Sequence, residues 1–230
     1  FGLIYVAVVG TIFNPPFFKR SSHFVENTKV MWNLSSAYLM SDFVSYADRV
    51  MIPLFIVNGD EASTIFYVAT LLGKMVSLLS TPLNGVIIGH LSRYKGKITR
   101  KMFAGVMVIL LACAIVFTCG SVLGSYIIIP VLYNSQVVEA ASKLFWIANA
   151  GQVFFFLSNT MMVVVLRFAT EKYQIYIGTI YTVLFVAIIV PFMLVWGLWG
   201  MAIGLLLINI LKFAIITGLG FYALKKETMD

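Results

Sequence analysis

Six stretches of this chain, at about 35–57, 63–88, 102–129, 143–166, 175–195 and 200–222, are apolar over some twenty residues or more. A run of that length crosses the roughly 30 Å of a bilayer's hydrocarbon as a helix, at about 1.5 Å per residue. Lipid offers no hydrogen bonds, so a backbone inside it must satisfy its own N–H and C=O groups. Continuous apolar runs do so as α-helices, whereas a membrane barrel needs strands of alternating character. Composition agrees: 61% of the residues are hydrophobic, only 11% are charged, and the mean hydropathy is +0.98. Soluble domains sit near 45–50% apolar with about 25% charged. The expectation is an all-α polytopic membrane protein with a six-helix transmembrane lobe over 35–222. Residues 1–13 are expected to be the end of a truncated seventh helix and 14–34 a cytoplasmic linker. Its aromatic residues, among them Phe17, Phe18, Phe24 and Trp32, favour the membrane interface over free solvent. Residues 223–230 form a cytoplasmic tail.

The charges fix an orientation. Segments 14–34, 89–101, 167–174 and the tail together hold twelve Lys and Arg, from Lys19 to Lys226. The alternate connections, 58–62, 130–142 and 196–199, hold none, but carry Asp60, Glu61 and Glu139. Positive residues stay on the cytoplasmic side, so the pattern predicts a multi-pass protein of the plasma membrane with its C-terminus in the cytoplasm. The net charge of +7 is thereby a matter of topology, and no nucleic-acid partner is expected.

Few chemical motifs compete. Cys113 and Cys119 lie in one apolar run at a spacing that turns them to different helix faces, and His23 and His90 are far apart. Neither pair suggests a metal, and no cofactor is implied. A membrane enzyme acting on polyprenyl-linked sugars would carry a sizeable outer loop with paired carboxylates, or an Asp-rich motif for Mg²⁺ and phosphate. This chain has neither, so no catalytic residue is assigned.

What stands out is charge inside the spans. The stretch "SDFVSYADRVMIPLFIV", 41–57, holds Asp42, Asp48 and Arg49. A mid-membrane charge costs about 2.5–3.5 kcal/mol on insertion scales and calls for a partner or a hydrated cavity. On a helix, Asp42, Ser45, Tyr46 and Arg49 share one face, which Ser41 and Asp48 widen. Pro53 is a candidate kink. The next span repeats the design, with Tyr67, Thr70, Lys74, Ser77, Thr81 and Gly85 in one stripe and Pro82 marking a bend near its inner end. Span 143–166 adds Asn149, Gln152 and Asn159, and the last span adds Asn209 and Lys212. The polar amides serve either as hydrogen-bonding glue between helices or as cavity lining. Gly200 and Gly204, in "GLWGMAIG", read as a packing motif. Arg49 and Lys74 either pair with Asp42 and Asp48 or line a pathway for something polar and anionic.

Three segments carry a family resemblance: "YADRVMIPLFI" followed by "STIFYVATLLGKMVSLLSTPLNGVIIGHLSRY", the basic connection after it, and the closing hairpin "GLWGMAIGLLLINILKFAII". The chain resembles the C-terminal half of the O-antigen and capsular polysaccharide (Wzx-like) flippases of the MOP superfamily. The resemblance implies a fold of two six-helix lobes, the first lobe being absent from this sequence. It implies a bacterial inner-membrane transporter, not an enzyme, that moves undecaprenyl-pyrophosphate-linked oligosaccharide between leaflets amid membrane lipid. Arg49, Lys74 and Lys212, with Tyr46 and Tyr67, become the expected substrate contacts. Asp42 and Asp48 become ion-coupling or charge-pairing groups. A multidrug or lipid exporter of the same superfamily is the alternative, and a polyprenyl-linked glycosyltransferase a further one.

Overall fold

The computed structural model describes residues 24–94, 96–169 and 172–227. The expected helix end at 1–13, most of the linker and the last residues of the tail lie outside the described residues. All regular structure among the described residues is helical: α1 (Phe24–Tyr46), α2 (Asp48–Phe55), α3 (Gly59–Leu78), α4 (Ser80–Arg93), α5 (Arg100–Leu132), α6 (Ser135–Ser142), α7 (Phe145–Val165) and α8 (Lys172–Glu227). Four stretches are long and apolar enough to cross a membrane: Gly59–Arg93, Arg100–Leu132, Phe145–Val165 and Lys172–Lys225.

The last of these is a hairpin. Gly197 takes φ 57° and ψ −131°, outside helical geometry, in a region that glycine enters without a Cβ penalty. The limbs 172–196 and 198–227 fold back on each other. In a straight helix Tyr181 and Asn209 would stand about 40 Å apart; here the Tyr181 hydroxyl donates to Asn209 Oδ1 over 2.8 Å. Close to the turn the limbs nearly touch. A Cβ on Gly200 would strike the Phe192 carbonyl, and one on Gly204 would lie 3.1 Å from Ile189 Cγ1. The two glycines therefore pack a hairpin within the chain.

The α7 helix is the axis of the bundle, with α8, α3, α5 and α4 packed around it. Of its apolar span 72% of residues are buried, against 22% for α5. The difference sorts the two: α7 is enclosed by helices, whereas α5 turns Ile109, Ile115, Val116, Leu123 and Ile127 outward, the composition of a lipid-facing wall. Thr99 caps α5 by accepting from Met102 N–H, and Asn134 caps α6 by accepting from Val137 N–H.

The connections 89–101 and 167–174 and the end of α8 gather at one end. The Arg167 guanidinium donates to the carbonyls of Leu91 and Tyr94, at 3.1 and 3.2 Å, and so satisfies the C-terminus of α4. Beside it the Phe103 ring meets Phe168 and Phe221 edge-on.

Element boundaries depart from the sequence reading in four places. The α1 helix begins at Phe24, inside the expected linker, because a helix leaving lipid can continue through polar residues such as Glu26, Asn27 and Lys29. Phe24, Val25, Met31 and Trp32 are exposed along it. The expected helix 35–57 is interrupted at Ala47, not at Pro53, which α2 accommodates. The connection 130–142 contains the short helix α6. Near the bend expected at Pro82 the helix is interrupted at Leu79, leaving Pro82 in the first turn of α4, where its missing N–H is least needed.

Candidate functional site

The site rests on a polar frame. Asn149 on α7 accepts from the Gly73 N–H at 2.6 Å and donates to Ala69 O at 3.2 Å, so its amide engages both ends of one helical rung of α3. The same amide reaches Phe145 O and Ser125 Oγ. Ser77 donates to Gln152 O at 3.0 Å. Contacts this close need Gly73: a Cβ there would lie 2.8 Å from Asn149 Oδ1 and 2.8 Å from Gln152 Cβ. Asn209 plays the matching part for α8, accepting from Tyr181 and donating to Gly151 O at 2.9 Å. Asn149 and Asn209 are thus glue between helices, each replacing water with a backbone partner.

Beside this frame lies a cavity of about 880 Å³. It is lined by Tyr46, Arg49, Tyr67, Lys74 and Lys212, the five residues expected to contact substrate, drawn from α1, α2, α3 and the second limb of α8. The α3 stripe faces it through Tyr67, Lys74 and Ser77, and α4 continues the wall with Ser80, Thr81 and Asn84. Gln152 and Asn159 of α7 and Gln174 and Tyr181 of α8 complete the polar part. Leu71, Met75, Leu78, Ile88, Leu166 and Ile216 supply an apolar part.

The three cations are held differently. Lys74 Nζ lies 2.5 Å from Asp48 Oδ2. The other Asp48 oxygen accepts from the Arg49 backbone N–H at 3.0 Å, so the carboxylate, at the first turn of α2, is engaged on both sides. Asp48 opens α2 directly after the interruption at Ala47, in the first turn of that helix. Asp48 is buried, while its neighbour Arg49 stays exposed, with the guanidinium 5.3 Å from the Tyr46 ring and 5.8 Å from that of Tyr67. Lys74 lies 5.7 Å from the same Tyr67 ring, which therefore stands close to two cations. The Asp42 side chain lies outside the described residues.

Lys212 is buried. Its ammonium donates to Asn159 Oδ1 at 3.0 Å and sits 4.6 Å from the Phe155 ring and 4.3 Å from that of Tyr181. Among the described residues neither Lys212 nor Arg49 has a carboxylate partner. A lysine ammonium has three donors, and here one neutral oxygen and two ring faces receive it.

Asn84, Gln174 and Tyr181 are not among the site residues expected from the sequence, where Asn84 reads only as part of the bend behind Pro82. Asn84 falls on the α3–α4 stripe, three residues after Thr81, and Gln174, Gly178 and Tyr181 follow helical spacing along α8. The signal was there, but the residues are neutral and Gln174 borders a basic connection. No family model, curated protein or solved structure matches this chain.

Proposed function

We propose that this chain is one lobe of a polysaccharide flippase of the MOP superfamily. It would move an undecaprenyl-pyrophosphate-linked oligosaccharide from the inner to the outer leaflet of a bacterial plasma membrane. One observation carries the reading: Arg49, Lys74 and Lys212, from three separate helical segments, converge on a single cavity, and among the described residues only Lys74 of the three has a carboxylate partner. Cations are expensive inside a membrane. An excess of them on one hydrated wall suits a ligand that brings negative charge, and the apolar part of the cavity suits a prenyl chain.

In this reading α1–α2, α3–α4, α5, α7 and the two limbs of α8 are the six crossings of the lobe. The end where Arg167 meets α4 is cytoplasmic, as the distribution of Lys and Arg predicts. Tyr46, Arg49 and Tyr67 are exposed on the cavity wall, which suits a surface that a second lobe closes, and alternating access needs both.

The test is Arg49→Ala and Lys74→Ala in the full-length protein. Both variants are expected to lose surface polysaccharide at unchanged membrane abundance. Normal polysaccharide in both overturns the reading. That outcome would favour an exporter of a simpler anionic lipid, which the same cations and apolar wall would fit.

A further inference from the structure

Two amides on the cavity wall have buried oxygens with no hydrogen-bond partner among the described residues: Asn84 Oδ1 and Gln174 Oε1. Gln174 is 9% exposed. The other unpartnered buried oxygens, on Thr160 and Thr217, belong to hydroxyls off this cavity. Leaving a buried carbonyl without a donor forfeits its hydration uncompensated, and most buried polar side-chain atoms have a partner. Asn149 and Asn209 show how this bundle treats an amide that serves packing: each is bonded through both oxygen and nitrogen. Asn84 and Gln174 break that rule on the same cavity, from two different helices.

Their place in the cavity separates them from the cations. Lys74 lies near the middle of the α3–α4 stretch Gly59–Arg93, and Lys212 in the middle of the second limb of α8. Asn84 lies beyond the break at Leu79, and Gln174 lies in the first turn of α8, toward the end where the basic segments meet. We propose that Asn84 and Gln174, with Ser80 and Thr81 beside them, form a neutral subsite for the hydroxyl-bearing head group of a phosphorylated lipid. The inference rests on the proposed function, in which the cations hold the phosphate. Amide oxygens accept from hydroxyls while amide N–H groups return a bond to them, the two-way pairing that a polyol offers. A cationic head group would also donate, but it would enter a cavity that already holds three positive side chains.

The experiment uses the full-length protein in phosphatidylcholine nanodiscs and three probes: citronellyl phosphate, citronellyl phosphoglycerol and citronellyl phosphoglucose. The glucose conjugate is expected to bind about tenfold tighter than the bare phosphate, the worth of one or two net hydrogen bonds. Asn84→Leu with Gln174→Leu is expected to erase that gain and leave the bare phosphate's affinity unchanged. The single changes Asn84→Ala and Gln174→Ala, which perturb folding less, are expected to remove about threefold each. A similar gain with glycerol assigns the subsite to polyols in general; a gain with glucose alone narrows it to saccharides. Equal affinity for all three probes, or an equal loss for all three in the double variant, overturns the subsite. Lys74→Gln with Lys212→Gln provides the separate control. If it leaves the bare phosphate's affinity intact while the glucose gain persists, the cation reading fails and the amide subsite stands. If no probe binds, both fail.

Discussion

Lys212 and Tyr181 stand on opposite limbs of one hairpin, with the ammonium 4.3 Å from the ring centroid and the ring's own hydroxyl bonded to Asn209. Tyr181 thus faces the cation with its π surface and holds the second limb with its oxygen. The two roles separate on substitution. Tyr181→Phe keeps the ring and is expected to lower stability by about 0.5–1.5 kcal/mol, the range for one hydrogen bond. Tyr181→Ala removes both and is expected to cost more. Thermal unfolding of the purified protein in detergent checks the order; equal loss in the two variants would show that the hydroxyl does all the holding.

Asp48 and Lys74 form a charge pair at the edge of the cavity that Lys74 lines. With Asp48 buried and Lys74 about four-fifths covered, removal of one partner leaves the other charge exposed to a poor solvent. Asp48→Asn alone is expected to destabilise more than Asp48→Asn combined with Lys74→Gln. A double-mutant cycle is expected to return a coupling of about 1–2 kcal/mol. Simple additivity would mean that water alone satisfies both groups.

Gly73 is predicted to be the glycine least tolerant of a methyl group in the α3–α7 contact. Gly73→Ala drives a Cβ against Asn149 and Gln152 and is expected to cost about 1–3 kcal/mol. Gly120→Ala on α5 is the control, since a Cβ there meets nothing within 4 Å. It should be neutral or mildly stabilising, as Ala is a better helix former. Comparable losses at both positions would contradict the packing described for α7.

Gly197→Ala separates backbone strain from crowding. A Cβ at Gly197 would meet nothing within 4 Å, yet φ is +57°. The expected loss of about 1–2 kcal/mol is then conformational. Gly197→Asn is expected to lose at least as much, because asparagine's tolerance of positive φ is centred on ψ of about +30 to +60°, far from the −131° held here. The same ordering in unfolding experiments would confirm the turn; no effect in either variant would mean that the limbs tolerate another reversal.

The sequence made much of this site legible, for a definite reason. Tyr67, Lys74, Ser77 and Thr81 lie at helical spacing on a background of apolar residues, so each polar member of the stripe stands out and the face follows from geometry. Partner choice did not follow. Asp42 and Asp48 were equally available to Lys74, and the interruption at Ala47 just before Asp48 carries no glycine or proline to announce it. Pro53 drew attention to a kink that falls elsewhere, because a proline inside a short helix can be absorbed. The roles of Asn149 and Asn159 also look alike on paper. One is locked to the α3 backbone and the other holds a buried lysine, and only the neighbouring helices tell them apart. Helix α6 escaped notice because "SQVVEAAS" is too short and too mixed to show a period. Asn84 and Gln174 did not stand out as site residues because an uncharged amide near a span end, beside Pro82 in the one case, resembles ordinary boundary polarity.

The reversal at Gly197 bears on how the protein reaches the membrane. A lone lysine-bearing segment such as 198–227 enters lipid at a disadvantage, since its ammonium finds no counterpart there. Because the preceding limb already carries Tyr181 and the tight turn returns the chain alongside it, the pair can leave the translocation machinery together. Lys212 then meets an aromatic face supplied by its own nascent chain before it meets a hydrocarbon tail.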